Sequence, residues 1–292
     1  MANGIIVIDK PADWTSHDVV AKIRGILHEK RVGHAGTLDP MATGVLPVFV
    51  GRATRAVEFA AETGKEYRAT LRLGVTTDTQ DSTGTILTQS PVTCTPQEVE
   101  AALAPFRGDI LQLPPMYSAL KRDGKCLYEL ARKGKTVDRD LRPITIYELE
   151  LEDRDLFSGP EYHLRIRCSK GTYIRTLCHD IGAALGCGGV MSALRRTEAA
   201  GFTLADAISL DALRQAEHPG DLLLPVDSYF AQYPALNADD GAEFHIRNGT
   251  GYPCAAAPGD YRVYGGDGAF LMLGRADGEN MQTIKSFFEV NL

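Results

Sequence analysis

The stretch GHAGTLDPMATGVLP at residues 33–47 places one carboxylate, Asp39, in a bend crowded with glycine and proline. Glycine lets the backbone approach another group closely, and Pro40 biases Asp39 away from helical geometry. We therefore predict that Asp39 stands outside regular structure, where a substrate can reach it. The alternative is that Asp39 caps a helix whose first residue is Pro40, because Asp-Pro is also a favourable helix start.

Five further segments carry unusual combinations of charged, aromatic and glycine residues. They are GIIVIDKP (4–11, followed by Thr15 and Ser16), KEYRATLRLG (65–74), PPMYSALK (114–121), SKGTYIRTL (169–177) and LRRT (194–197). Together with residues 33–51 they resemble, in chain order, the motifs of bacterial tRNA pseudouridine-55 synthases, the TruB-type pseudouridine synthase family. The resemblance covers roughly residues 4–228.

The resemblance implies an α+β (mixed α/β) fold, with a central, mostly antiparallel mixed sheet crossed by a cleft. It implies a catalytic domain over residues 1–228, with an RNA-gripping insertion at about 121–142. A small C-terminal PUA-like β-barrel that contacts RNA is expected over residues 229–292. The implied reaction converts uridine to pseudouridine at position 55 in the T-arm loop of tRNA, with assistance to tRNA folding as a further role.

Hydrophobic periodicity predicts the main elements independently of the resemblance. Strands are predicted at 4–8, 66–73, 143–151 and 162–168, and helices at 15–28, 96–104 and 172–185. In the 66–73 strand, Tyr67, Ala69, Leu71 and Leu73 alternate with polar residues and share one face. Beyond an expected boundary near 225–240, short strand-like runs at 243–247, 260–264, 269–274 and 282–290 favour a small barrel.

Composition indicates an ordinary globular protein, with 44% hydrophobic and 24% charged residues. No basic leader precedes the apolar run at 5–8, and no apolar run approaches the ~20 residues of a membrane helix. The six cysteines form no Cys-x-x-Cys pair, and residues 78–84, which include Asp78 and Asp81, lack calcium-loop spacing. We therefore expect a cytoplasmic protein without a metal site. We also expect a monomer that needs no cofactor or protein partner.

The net charge of −7 is unevenly distributed. Residues 195–292 hold 7 basic and 14 acidic side chains, whereas residues 1–194 hold 24 of each. Within residues 121–142, eight basic side chains face four acidic ones. This segment is interpreted either as a phosphate-binding patch or as a solvated insertion whose charge aids solubility. The candidate phosphate contacts are Lys121, Arg122, Lys125, Arg132 and Lys133.

The resemblance assigns the reaction to Asp39, Tyr67 and Arg175. Asp39 is the expected nucleophile or charge stabiliser, and attack at C1′, attack at C6 and a glycal route all stay open. Arg175 opposes the dipole of its helix, and we predict that it pairs with Asp39 and keeps it ionised. A surface arginine bound to a remote carboxylate is the alternative. Tyr67 is either a core tyrosine or a group that stacks on the base and transfers a proton.

Three more positions are expected at the target base, which must be swung out of the loop to be reached. His34 is expected to fill the vacated stack or brace the flipped nucleotide, whereas a lone histidine is otherwise a turn or core residue. Tyr173 and Leu194 match base-pocket positions of the family, and on pattern alone either is equally a packing residue.

Three other functions compete with a stand-alone tRNA enzyme. One is a guide-RNA-dependent relative with a similar catalytic core; the second is a noncatalytic RNA-folding or RNA-binding protein. The third is a carboxylate glycosidase that releases the base without rejoining it at C5.

Overall fold

The computed structural model describes residues 2–122, 124–152 and 160–288. Among these residues the α-helices are α1 (Ser16–Leu27), α2 (Val57–Ala61), α3 (Pro96–Leu103), α4 (Leu127–Ala131), α5 (Ile174–Ala184), α6 (Leu210–Gln215) and α7 (Asp240–Arg247). Short 3-10 turns lie at Gly51–Ala56, Ala104–Phe106, Leu204–Asp206, Pro219–Leu222 and Val226–Phe230.

The described strands alternate with these helices along the chain. They are β1 (Gly4–Lys10), β2 (Val32–His34), β3 (Thr43–Val50), β4 (Lys65–Leu73), β5 (Val75–Thr77), β6 (Ile86–Gln89), β7 (Gly108–Gln112), β8 (Lys121–Arg122), β9 (Lys125–Cys126), β10 (Arg142–Leu151), β11 (Glu161–Cys168), β12 (Gly189–Ala199), β13 (Phe202–Thr203), β14 (Ala235–Asn237), β15 (Tyr252–Pro253), β16 (Gly259–Tyr264), β17 (Phe270–Ala276) and β18 (Asn280–Ser286).

A nine-stranded sheet forms the centre of the molecule, in the order β1-β3-β12-β4-β11-β10-β7, with β2 on β3 and β13 on β12. The pairing of β12 with β3 is parallel, and the other described pairings of this sheet are antiparallel. The prediction of a mostly antiparallel mixed sheet in an α+β protein is therefore confirmed.

The predicted elements of the catalytic part form largely where the sequence placed them. Helix α1 begins at a capping box in which Thr15 accepts from the Asp18 N–H. Helix α5 buries Ile174, Leu177 and Ile181 in the same hydrophobic cluster as Tyr67 of β4. Strand β4 buries Tyr67, Ala69, Leu71 and Leu73, as its alternation predicts.

A second sheet of five strands, in the order β14-β16-β17-β18-β15, lies beyond the central one and fits the expected PUA-like domain. The predicted strand at 243–247 is wrong, because these residues belong to α7. Asp239 caps that helix by accepting from the Ala242 N–H at 2.8 Å, and Glu243 pairs with Arg247 one turn later. The predicted strand at 282–290 is observed at Asn280–Ser286, and residues 289 and 290 lie outside the described ranges.

The two sheets meet in a shared hydrophobic cluster. Phe230, which follows the predicted boundary at 228–229, belongs to one buried cluster with Phe49 of β3 and with Leu273 and Phe287 of the C-terminal part, and its ring contacts that of Phe287. None of the described helices is both long enough and apolar enough to cross a membrane.

Candidate active site

Asp39 lies in the loop between β2 and β3, and no helix begins there. Its carbonyl accepts a hydrogen bond from the Ala42 N–H at 3.0 Å, which closes a turn rather than a helix. The buried Lys10 ammonium donates to the Pro40 carbonyl at 3.1 Å and to the Trp14 carbonyl at 2.6 Å. The helix-cap alternative for Asp39 is therefore excluded, and Lys10 anchors the turn that presents the carboxylate.

Arg175, at the start of α5, pairs with Asp39 through two nitrogens. Its Nε lies 2.9 Å from Asp39 Oδ2, and its Nη2 donates to Asp39 Oδ1 at 3.4 Å. The same guanidinium donates to the carbonyls of Tyr117 (2.8 Å) and Thr79 (3.2 Å). The Arg175 side chain is 6% exposed and that of Asp39 is 35% exposed, so a fixed cation faces a carboxylate that solvent still reaches.

Opposing electrostatic effects act on the Asp39 carboxyl. Burial raises the pKa of Asp39 above its ordinary value, whereas the Arg175 guanidinium beside it lowers that pKa. The charge of Asp81 raises the pKa of Asp39 further, and that of Lys10 lowers it. Without Arg175 the carboxyl would hold its proton to higher pH.

Asp81 is a site residue that the sequence analysis considered only as a calcium ligand. Its Oδ2 lies 3.7 Å from Arg175 Nη1, and its side chain is 7% exposed. Oδ1 accepts from Thr79 Oγ1 (2.8 Å), from the Thr83 N–H (3.0 Å) and from Thr83 Oγ1 (2.5 Å). Asp81 therefore holds the Arg175 guanidinium from the side opposite Asp39. No local pattern indicates this role, because it depends on a contact 94 positions along the chain.

Tyr67 and Leu194 lie together on neighbouring strands. Both are buried in one hydrophobic cluster with Leu38, the residue before Asp39. Burial raises the pKa of Tyr67 to about 12, although the nearby Arg196 lowers it, so the phenol is protonated at neutral pH. The structure thus places a neutral hydrogen-bond donor and an apolar side chain beside the Asp39 loop.

Tyr173 is the residue before α5 and is fixed by its backbone. The Gln112 side chain donates to the Tyr173 carbonyl at 3.1 Å and accepts from the Tyr173 N–H at 2.8 Å. Burial raises the pKa of the Tyr173 phenol, which lies within electrostatic range of Arg175 and Asp39. Tyr173 therefore belongs to the same site.

His34 lies on β2, beside His17 rather than within the Asp39–Arg175 pair. The two rings meet edge to face, with centroids 5.6 Å apart. Burial lowers the pKa of His34 to about 4, so its imidazole is neutral at physiological pH. A neutral ring of this kind suits stacking on a nucleotide better than pairing with a phosphate.

The predicted phosphate contacts lie on the insertion, away from the core. Strands β8 and β9 form a short ribbon, and helix α4 follows it. The side chains of all five candidates are exposed: Lys121, Arg122, Lys125, Arg132 and Lys133. Arg132 stacks over the Tyr128 ring at 5.4 Å. Arg139, also in the segment, ties it to the fold by donating to the Pro114 carbonyl at 2.7 Å.

Two family profiles match consecutive parts of this chain. Residues 24–174 match the profile described as the TruB family pseudouridylate synthase N-terminal domain. Residues 175–231 match the tRNA pseudouridylate synthase B C-terminal domain. The chain therefore belongs to the TruB family of pseudouridylate synthases, and its predicted resemblance to that family is confirmed.

Among curated relatives, the tRNA pseudouridine synthase B of Ralstonia pickettii (strain 12J) is 45% identical over 269 residues, covering 90% of this chain and 85% of that protein. The tRNA pseudouridine synthase B of Syntrophomonas wolfei subsp. wolfei is 44% identical over 290 residues, covering 97% of this chain and 96% of that protein.

Solved structures agree with the fold. A chain in the crystal structure of a Cbf5-Nop10-Gar1 complex is similar with a TM-score of 0.73 and 28% identity, covering 98% of this chain and 85% of that chain. A chain in the structure of an H/ACA RNP bound to a substrate RNA containing 2′-deoxyuridine matches with a TM-score of 0.72 and 25% identity, covering 99% and 86%.

Proposed function

We propose that this chain isomerises uridine to pseudouridine in tRNA, at position 55 of the T-arm loop, with Asp39 as the group that acts on the sugar or the base. The observation that carries the proposal is the 2.9 Å contact between Arg175 Nε and Asp39 Oδ2 in a turn outside any helix. Membership of the TruB family supports the reaction class, and curated relatives named tRNA pseudouridine synthase B support the tRNA substrate.

The reaction breaks the C1′–N1 bond, turns the uracil and rejoins it through C5, with no net oxidation or reduction. Asp39 attacks C1′ or C6, or stabilises the sugar cation while a glycal forms. All three routes require the same contribution from Arg175. That cation keeps a partly desolvated carboxyl in its ionised, reactive form. Tyr67 stacks on the base and takes part in proton transfer.

The target nucleotide enters the site by leaving its stack, which costs a few kcal/mol. Leu194 and Tyr173 line the pocket for the flipped uracil, and the neutral His34 braces the loop that the base has left. Binding energy from the rest of the tRNA offsets the unstacking. A protein that opens the loop in this way also assists tRNA folding.

The insertion and the C-terminal part supply that binding energy. The exposed cations of residues 121–142 contact phosphates and give salt-dependent, sequence-independent affinity. Residues 229–292 form a PUA-like domain that contacts RNA, separate from the catalytic domain at 1–228. We place the enzyme in the cytoplasm as a monomer.

A guide-RNA-dependent activity is the second candidate, because a chain in an H/ACA RNP bound to a substrate RNA is similar to this chain over 99% of its length. The deciding experiment is tritium release from C5-labelled uridine in transcribed tRNA, with the purified chain alone and no added RNA or protein. We expect release by the wild type and none above background by Asp39→Ala. Release only after other components are added would favour the second candidate.

The same assay separates the remaining functions. A glycosidase would free uracil and leave an abasic tRNA, whereas isomerisation leaves the mass of the tRNA unchanged. If Asp39→Asn retained every cellular role of the chain, a noncatalytic RNA-folding function would be favoured instead.

A further inference from the structure

Arg196 carries a deeply buried charge that has no described carboxylate to neutralise it. The residue is 0% exposed. Its Nε donates to the Val45 carbonyl at 2.7 Å and its Nη2 to the Gly36 carbonyl at 3.1 Å. Nη1 is buried without an acceptor among the described residues. Burying an unpaired cation costs folding free energy. Negative charge that arrives with the substrate would compensate the charge of Arg196.

Strand pairing places the Arg196 side chain beside that of Tyr67. Arg196 of β12 and Tyr67 of β4 are direct register partners on adjacent antiparallel strands, which places their side chains on one face. Lys65, two residues before Tyr67 on the same face, is also buried, with its ammonium donating to the Thr63 carbonyl at 3.0 Å. Two cationic side chains, Arg196 and Lys65, therefore lie on the face of the sheet that carries Tyr67.

The field at this point favours an anion in contact with Tyr67. Burial keeps the pKa of Tyr67 at about 12 even with Arg196 beside it, so the phenol is a donor at neutral pH. A donor backed by a guanidinium stabilises negative charge more strongly than a phenol alone. Leu38 and Leu194 pack in the same cluster as Tyr67, which keeps the local dielectric low.

We propose that Arg196 acts through the Tyr67 hydroxyl to stabilise the negative charge on the uracil as it leaves the sugar. This inference rests on the proposed function. In that step the C1′–N1 bond breaks, its electron pair stays on the uracil, and the Asp39 carboxylate compensates the positive charge that develops at C1′. No proton moves in the step. Tyr67 touches the base, and Arg196 is a positioning residue behind it.

A substrate whose base is a better leaving group than uracil tests this role of Arg196 directly. Fluorine at C5 stabilises the uracil anion, so bond cleavage in 5-fluorouridine depends less on the protein. Two tRNA transcripts, one with uridine and one with 5-fluorouridine at the target, are followed under single-turnover conditions by nucleoside digestion and mass spectrometry. We expect Arg196→Met to slow loss of uridine by about 100-fold but loss of 5-fluorouridine by only about tenfold.

Arg175→Met is the matched control, since it removes a buried guanidinium on the Asp39 side. It should slow both substrates by the same factor. Equal losses for both substrates in Arg196→Met would overturn the proposal and leave Arg196 a merely structural residue. The test is separate from that of the proposed function, which fails if the wild type consumes neither transcript.

Two further variants keep the test decisive if Arg196→Met does not fold. Tyr67→Phe removes the donor but leaves the cation in place, and it should show the same selective recovery with 5-fluorouridine. Arg196→Lys keeps a buried charge and should fall between the wild type and Tyr67→Phe. If 5-fluorouridine relieves neither variant, the proposal is wrong.

Discussion

The guanidinium of Arg175 spans two carboxylates that lie far apart in the chain, with Nε 2.9 Å from Asp39 Oδ2 and Nη1 3.7 Å from Asp81 Oδ2. Its further hydrogen bonds to the carbonyls of Tyr117, at 2.8 Å, and Thr79, at 3.2 Å, leave it little freedom to move. The orientation of Asp39 therefore depends on a cation that is itself clamped before substrate arrives, as preorganised catalysis requires.

The pH dependence of turnover should report on this cation. Asp39 acts as a carboxylate, burial raises its pKa, and Arg175 lowers it. Removing the cation in Arg175→Met should raise the pKa of Asp39 further, so activity is lost at a higher pH as the solution is acidified. The measurement is the acid limb of the single-turnover rate. The control is Arg195→Met, which removes a partly exposed arginine paired with Asp9 and should leave the acid limb at the wild-type pH. An acid limb that does not shift in Arg175→Met would contradict the pairing of Arg175 with Asp39.

Asp81→Asn should slow catalysis without weakening tRNA binding. The substitution removes the charge that holds Arg175 Nη1 while keeping the size of the side chain. We expect a loss in single-turnover rate of about 10- to 100-fold, with tRNA affinity unchanged in filter binding. Asp78→Asn is the matched control, because the Asp78 carboxylate lies in the same loop and accepts from the Thr85 N–H at 2.7 Å. Equal effects of the two variants would assign Asp81 to loop structure alone.

Neutralising the insertion should flatten the salt dependence of tRNA binding. Replacing the exposed Lys121, Arg122 and Lys125 by alanine should reduce the slope of log affinity against log salt by about 2 to 3. The control is a triple alanine variant of three exposed cations in or near α1 and α6: Lys22, Lys30 and Arg214. We expect no change of slope in that control. An unchanged slope in the insertion variant would leave these residues as solubilising charges.

Gly44→Ala should destabilise the fold around the site. Gly44 has φ of +103°, and a Cβ there would lie 2.2 Å from the Arg196 carbonyl oxygen, where β3 pairs with β12. Strain and overpacking together should cost about 3 kcal/mol of unfolding free energy, measured by urea titration. Gly186→Ala also has positive φ but nothing within 4 Å, and should cost only about 1 kcal/mol. Equal losses would mean that the contact with Arg196 is unimportant.

The sequence predicts best where the signal is local. The alternation of residues 66–73 is such a local pattern, and the structure buries the face of β4 that it predicts. The short Phe244–Ile246 alternation predicts a strand but also fits a helix, and the Asp239 cap selects the helix α7.

The site is harder to predict from sequence, because its geometry depends on contacts between residues that lie far apart in the chain. The pairing of Asp39 with Arg175 is predicted from the family resemblance and from the unfavourable place of Arg175 at the start of its helix, because a separation of 136 positions carries no local pattern of its own. Asp81 and Arg196 were not identified as site residues at all. Each becomes meaningful only when strand pairing or loop folding shows what its charge faces.

The most direct measurement is a double-mutant cycle between Asp39 and Arg175, using single-turnover tritium release from C5-labelled tRNA. Asp39→Glu and Arg175→Lys preserve charge but displace it, so residual rates stay measurable. If the two residues act as one unit, the double variant should be no more than about threefold slower than the slower single variant. Losses that multiply would show that the two residues act independently and would contradict the account.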